Sequence, residues 1–386
     1  IPPREARAGG HLTAAPEAAL KLGDYRPSDL LRGSAIGDDV LRLLPKTDLH
    51  CHLDGSLRLA TFMELGRARG MDMPEDPEAV RALYFPPDRQ AVTHEFLKHF
   101  DHTAAVLQDE SGLTRVAREL AEDFAAESVW CLEVRFCPLM HQREGLSGDQ
   151  AVAAVRRGLD EAQERTGITA NIIVTGLRQI DPAHSLEMAK LAVDWKGRGV
   201  VAFDLAGDES DNPPKRHAES FYHVMNNNQN VTIHAGEGFG AASIHQALHR
   251  CGANRIGHGT RLEEDPDLLA YVANNRVPLE VCLSSNLQSC VVDDLSHHPF
   301  RHYLQKGLRV CLNTDNTLFA RTSPVGELRL AVDTFDLTLL ETENLLINGF
   351  KSAFLPERRK REMVAVSYTH LRAHETDSYL VCRLLL

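Results

Sequence analysis

The sequence predicts an α/β fold, a (β/α)8 TIM barrel with a helical insertion after strand 1, on three observations. Eight short β-branched or apolar runs recur along the chain, helical patterns lie between most of them, and each run closes on polar residues. Eight such alternations over roughly 320 residues fit one barrel with insertions. A doubly wound open sheet is the rival, but no G-x-G-x-x-G follows the first run.

In chain order the runs are PKTDLHCHLD, VWCLEVRFCP, ITANIIVTGL, VVAFDLAGDE, NVTIHAGE, RIGHG, VPLEVCLSSN and LRVCLNTDN. GDQAVAAVRRGLDEAQERTG before the third and GAASIHQALHRCG before the sixth read as helices, each closing on a glycine suited to a C-cap. The longest insertion, Arg58 to Ser128, is about twice what a crossover helix requires and is expected to fold over the barrel mouth. Within it Phe96, Leu97 and Phe100 recur at helical spacing, suited to packing on the barrel or to a greasy lid above a flat ligand.

Residues 1–42, rich in Ala, Gly, Pro and charge without a sustained period, read as a flexible N-terminal extension, and 43–366 as the barrel. From Ser367 to Leu386 the sequence changes character, and SYTHLRAHETDSYLVCRLLL resembles a translated library adaptor. It is expected to be a non-native tail.

The composition, 43% hydrophobic and 25% charged over 386 residues, is that of a globular protein, and the net charge of −12 disfavours a nucleic-acid partner. No apolar run approaches the roughly 20 residues of a membrane helix, and the first residues lack a signal-peptide pattern. The expectation is a soluble, cytoplasmic protein with no membrane partner. Eight scattered cysteines without a C-x-x-C pair read as buried thiols in a reducing compartment.

Barrel enzymes place their chemistry at the C-terminal ends of the strands. With 19 histidines, about one H-x-H triplet is expected by chance, so LHCHLD alone is no evidence. The pattern gains weight from its distribution. His50 and His52 close the first run, and at i and i+2 both rings face one side. HAGE closes the fifth with His234 and Glu237, GHG closes the sixth with His258, and NTDN closes the eighth with Asp315 and Asn316. Strand interiors, by contrast, read as apolar. Three imidazoles and one carboxylate make a plausible set for a divalent ion, most naturally zinc, leaving Glu237 and His258 as acid/base candidates for metal-assisted hydrolysis.

LHCHLDGS, DLAGDE, HAGEGFG, RIGHG, CLSSN and LNTDN, in this order, resemble the adenosine deaminase family of the amidohydrolase superfamily, from about Leu43 to Val366. The TDN form of the last motif looks like that of bacterial-type members. The resemblance implies one zinc per chain held by His50, His52, His234 and Asp315. It further implies that Glu237 protonates purine N1 while His258 orients hydroxide at C6, so that adenosine and 2′-deoxyadenosine become inosine and 2′-deoxyinosine with loss of ammonia, a step of purine salvage. Asp54 would meet ribose hydroxyls and the Gly207 backbone amide purine N3. Asp204 looks like a support inside the barrel. Many members carry Asp-Asp where this chain has Asp315-Asn316; the Asn316 amide can still donate toward purine N7.

The alternatives are a deaminase of adenine or of a modified adenosine nucleotide on the same scaffold, and a non-catalytic adenosine-binding relative. A nucleotide would call for extra cations at the mouth, where Arg261 and Arg321 are the obvious candidates. A two-metal amidohydrolase ranks low because the fourth run supplies Asp204 and no Lys. No P-C-x-x-C occurs, which argues against a deaminase acting on nucleic acid.

Overall fold

A computed structural model describes residues 31–91 and 94–367. Eight parallel strands run in chain order around a barrel: β1 Lys46–His52, β2 Val129–Phe136, β3 Thr169–Leu177, β4 Val200–Ala206, β5 Asn230–Ala235, β6 Arg255–His258, β7 Leu279–Val281 and β8 Val310–Leu312. Every expected run supplies a strand. Closure between β1 and β8 is made at the rim, where His52 N donates to Asp315 O at 2.7 Å and Asp315 N to His50 O at 2.8 Å. The ring closes through the residues that the sequence singles out for chemistry.

Helices cover the outside, with ends written in the sequence. Gly148–Thr166 starts in a capping box between Ser147 and Gln150 and stops at Gly167, whose φ of 80° is left-handed. It lies close to the helix Glu110–Ala126: a Cβ on Gly158 would sit 2.1 Å from Thr114 O. The second expected helix, Ala241–His249, ends before Gly252, with Arg250 as its cap. No helix among the described residues is long and apolar enough to cross a membrane. The seven described cysteines are free thiols, all buried but Cys290; Cys382 lies outside the described residues.

The insertion after β1 holds the helices Leu59–Ala68, Pro77–Tyr84 and His94–Val106 ahead of the crossover helix Glu110–Ala126. Phe96 is buried, while Leu97 and Phe100 are half-buried. Phe100 packs its ring 6.1 Å from that of His52 and 4.9 Å from that of Phe319, so the insertion reaches over the mouth as expected.

Two expectations need correction. Residues 31–42 are not a loose extension: Ile36 and Leu41 are fully buried, and Arg329 reaches Gly33 O at 2.9 Å and also Ile36 O. A short apolar repeat in a polar stretch was enough to dock it. Residues 1–30 and 368–386 lie outside the described residues, and a last helical run extends from 357 to 367.

Nor is the barrel lumen apolar. Glu133 and Arg135 from β2, Asp204 from β4, Arg255 from β6 and Glu280 from β7 are at most 1% exposed. Arg135 Nη2 meets Glu280 Oε2 at 2.8 Å; because β2 and β7 are not neighbours in the sheet, this contact crosses the lumen. Arg255 joins Glu280 and Glu133, each at 2.6 Å. Charges can occupy this dry interior because each finds an opposite charge.

Candidate active site

At the C-terminal rim, four side chains from three segments converge. His50 and His52 leave β1 on one side, His234 leaves β5, and Asp315 follows β8. Their candidate ligand atoms all lie within 4.8 Å of one another. His52 Nε2 is 3.1 Å from His234 Nε2, and Asp315 Oδ1 is 3.5 Å from His50 Nε2 and 3.4 Å from His52 Nε2. Gly257 on β6 makes room: a Cβ there would fall 3.0 Å from Cε1 of His50 and 3.2 Å from Cα of His234. Asp315 and His258 both hold φ at 60°, a left-handed conformation that non-glycine residues adopt at a cost, and which here aims their side chains inward.

The lumen network orients the rings from below. Glu280 Oε2 lies 2.8 Å from His50 Nδ1, and Asp204 Oδ1 lies 3.1 Å from His234 Nδ1. Carboxylates accept, so both Nδ1 atoms carry the proton and both Nε2 atoms turn lone pairs to the centre. Burial holds the His52 and His234 imidazoles below their ordinary range, hence neutral. Burial would raise Asp315, but His50, His52 and His258 hold its carboxyl well below the usual range, and Ser285 Oγ donates to Oδ2 at 2.5 Å. His50 Nε2 is buried without a hydrogen-bond partner. Burial would lower His50, but Asp315 and Glu280 hold its imidazole above the ordinary range. Three imidazole nitrogens and an anionic oxygen crowded together form a site for a divalent cation.

Glu237 stands beside this cluster on the turn that follows β5. Glu209 shapes the turn, its carboxylate accepting from four successive amides: Gly236 N at 2.8 Å, Glu237 N at 3.0 Å, Gly238 N at 2.8 Å and Phe239 N at 3.0 Å. Burial, then the negative charges of Asp315 and Glu209, push the Glu237 carboxyl up to about 8. The carboxyl therefore favours its protonated form at neutral pH. His258 Nε2 lies 3.6 Å from Glu237 Oε2. The Asn286 amide donates to His258 Nδ1 at 3.1 Å, while its own Oδ1 accepts from Thr260 Oγ1 and His298 Nε2, each at 3.2 Å. With Nδ1 accepting, the His258 proton sits on Nε2 and faces the centre.

The remaining expected residues lie around the same rim. Asp54 is buried, with Oδ1 unpartnered. Asn316 packs over Gly55, where a Cβ would come within 1.8 Å of its Oδ1, an atom also buried without a partner. Gly207, at φ 101°, lies against Gln179 beyond β4. Asp204 supports His234 and Arg135 from inside the barrel, as its place in DLAGDE suggests. Sequence reasoning missed Glu280, Glu209, Ser285 and Asn286. A charge inside an apolar run, as in LEV, was the available signal for Glu280; a buried strand accepts one only when it is paired.

Known proteins align with this arrangement. The adenosine deaminase family model matches residues 45–368. The chain is 40% identical over 334 residues to an adenosine deaminase of Mycobacterium leprae, covering 82% of this chain and 92% of the relative. It is 36% identical over 343 residues to a probable adenosine deaminase of Dictyostelium discoideum, covering 88% of this chain and 44% of that longer protein. Among solved structures it resembles an adenine deaminase of Arthrobacter aurescens, with TM-score 0.80, 27% identity and coverage of 85% and 99%. It also resembles an Arabidopsis N6-mAMP deaminase, with TM-score 0.77, 28% identity and coverage of 86% and 99%. The family model over residues 45–368 and a relative 40% identical along 92% of its own length show that this protein belongs to the adenosine deaminase family, hydrolases of the amidohydrolase type.

Proposed function

We propose that the protein hydrolyses the C6 amino group of adenosine and 2′-deoxyadenosine, giving inosine and 2′-deoxyinosine with release of ammonia, in purine nucleoside salvage. The observation that carries this reading is the convergence of three imidazole nitrogens and a carboxylate next to a carboxyl pushed up to about 8. His50, His52, His234 and Asp315 fit one zinc ion in donor type and number. Zinc so held lowers the pKa of water toward about 7 and supplies hydroxide equivalents at neutral pH.

The chain's own groups do the rest. Glu237 donates its proton to purine N1, which draws electrons away from C6 and prepares that carbon for attack. His258 Nε2–H donates to the attacking oxygen and holds it over C6. Asp54 accepts from sugar hydroxyls, the Gly207 amide donates to purine N3 and the Asn316 amide to N7. One water is consumed and one ammonia released.

A nucleoside is favoured over a nucleotide by the state of the two candidate arginines. Arg261 pairs with Glu264 at 3.0 Å, and Arg321 lies 3.6 Å from Glu78 and 4.0 Å from Asp88. Both are already engaged by carboxylates, which leaves a phosphate no ready partner in either. The test is a spectrophotometric screen of adenosine, 2′-deoxyadenosine, adenine and adenosine monophosphate with and without a chelator, beside metal analysis of the purified protein. Turnover of both nucleosides, its loss on chelation and about one zinc per chain are expected. Preference for adenine or the monophosphate, or adenosine turnover in metal-free protein, would overturn the reading.

A further inference from the structure

His141 takes no part in the chemistry described so far, yet it is fully buried at the rim. It ends the short turn Pro138–His141 just beyond β2, next to the exit of β1, which carries Asp54. Its Nδ1 lies 2.9 Å from Leu107 O. A carbonyl only accepts, so Nδ1 holds the proton and Nε2 presents a lone pair. That Nε2 has no hydrogen-bond partner and is buried, as is Asp54 Oδ1. The two side chains approach no closer than 4.0 Å between His141 Nε2 and Asp54 Oδ2, too far for a hydrogen bond with each other.

The ring is held in this pose. Leu107 follows the covering helix His94–Val106, and Gln108 beside it bonds Ala104 O at 2.7 Å and Met140 O at 2.9 Å while accepting from Arg143 N at 2.9 Å. Burial also pushes the His141 imidazole down to about 4, which keeps Nε2 an acceptor at neutral pH. Two neighbouring buried atoms that lack donors, one on each side chain, call for O–H donors. One hydroxyl has one proton and satisfies one of them.

We infer that His141 is a specificity-determining residue that reads the sugar: its Nε2 accepts a hydrogen bond from one hydroxyl of the nucleoside while Asp54 accepts from another. The assignment rests on the nucleoside reading above and adds a second group to the sugar site. Because both proposed sugars carry 3′- and 5′-hydroxyls, these are the pair read. Two acceptors here also disfavour a 5′-phosphate, independently of the arginines.

The experiment compares kcat and KM for adenosine, 3′-deoxyadenosine and 5′-deoxyadenosine in the native protein, His141→Leu and His141→Gln. In the native protein each deoxy analogue is expected to lose about tenfold or more in kcat/KM. In His141→Leu, adenosine falls by about tenfold, mainly in KM, while one of the two analogues hardly changes, which identifies the hydroxyl that His141 reads. His141→Gln keeps an acceptor oxygen and restores part of the preference. Equal losses on all substrates in His141→Leu would make the residue merely structural and overturn the inference. Native protein that treats both analogues like adenosine would overturn it without any variant. Native protein that turns over no nucleoside would remove the nucleoside reading and this assignment together, a result distinct from the other two.

Discussion

In the barrel lumen Glu280 meets two guanidiniums, the Thr232 hydroxyl and the Nδ1 of His50. One layer higher, His50 Nε2, Asp54 Oδ1, His141 Nε2 and Asn316 Oδ1 are just as deeply buried and have no hydrogen-bond partner. Both layers are polar, and both are built from residues on the same strands or just beyond them. They differ in which groups are left over: every carboxylate named in the lumen is paired, with Arg135 Nε the atom lacking a partner, whereas the rim leaves acceptors unpaired. A paired charge in a dry interior is architecture, whereas a buried acceptor without a donor costs stability until something fills it. The unpaired acceptors at the rim suit the donors of the ligand proposed above, and the charged network below holds the rim in shape. Glu280 and Asp204 join the layers through the Nδ1 atoms of His50 and His234, so the lower layer decides which way the upper one faces.

The comparison breaks most visibly at Arg255. Arg255→Met leaves Glu133 and Glu280 short of a counter-charge, and a stability loss of about 3–5 kcal/mol is expected, read from the midpoint of urea unfolding. An unchanged midpoint would show that the lumen network is no support. Glu237→Gln tests the opposite layer: turnover falls about 10²-fold or more while the unfolding midpoint does not fall and the bound metal is retained. Loss of stability or metal in this variant would blur the two layers into one.

Acidity sharpens the same contrast. Glu237 is raised to about 8, and in the proposed reaction its working form is the protonated one, so kcat is expected to fall as pH rises through that value, by about tenfold per unit beyond it. The sign for stability is the same. Between the ordinary carboxyl range and about 8 the folded protein keeps a proton that the unfolded chain has released, so this group makes folding less favourable as pH rises through that window. Glu237→Gln should lack the alkaline limb, and a limb that persists would belong to another group. The smallest effect is expected of Asn316→Asp. Exchanging an amide donor for a carboxylate alters KM a few-fold across purine nucleosides and leaves the metal in place; an identical substrate profile would make Asn316 a bystander.

Much of this was legible before any coordinates. Period-two spacing put His50 and His52 on one face, and motifs at three further strand ends named His234, Glu237, His258 and Asp315, because a barrel's topology brings strand ends together whatever the intervening chain does. The insertion's place over the mouth followed from its length alone. The lumen escaped because a run such as LEV or VRF reads as buried, and nothing local reveals that Glu280 and Arg135, 145 positions apart, will face one another across the barrel. Glu209 escaped for a similar reason: it looks like one more surface acid in GDES until the fold lays the turn 236–239 over its carboxylate.

Residue order alone thus determined the barrel and the donor set, since periodicity and strand-end position are local properties of the chain. Tertiary structure alone decided which buried polar atoms are paired and which are left without a partner. His141 and Asp54 belong to strand exits far apart in sequence and adjacent in space, and whether a lone pair is satisfied depends on who stands within about 3 Å of it.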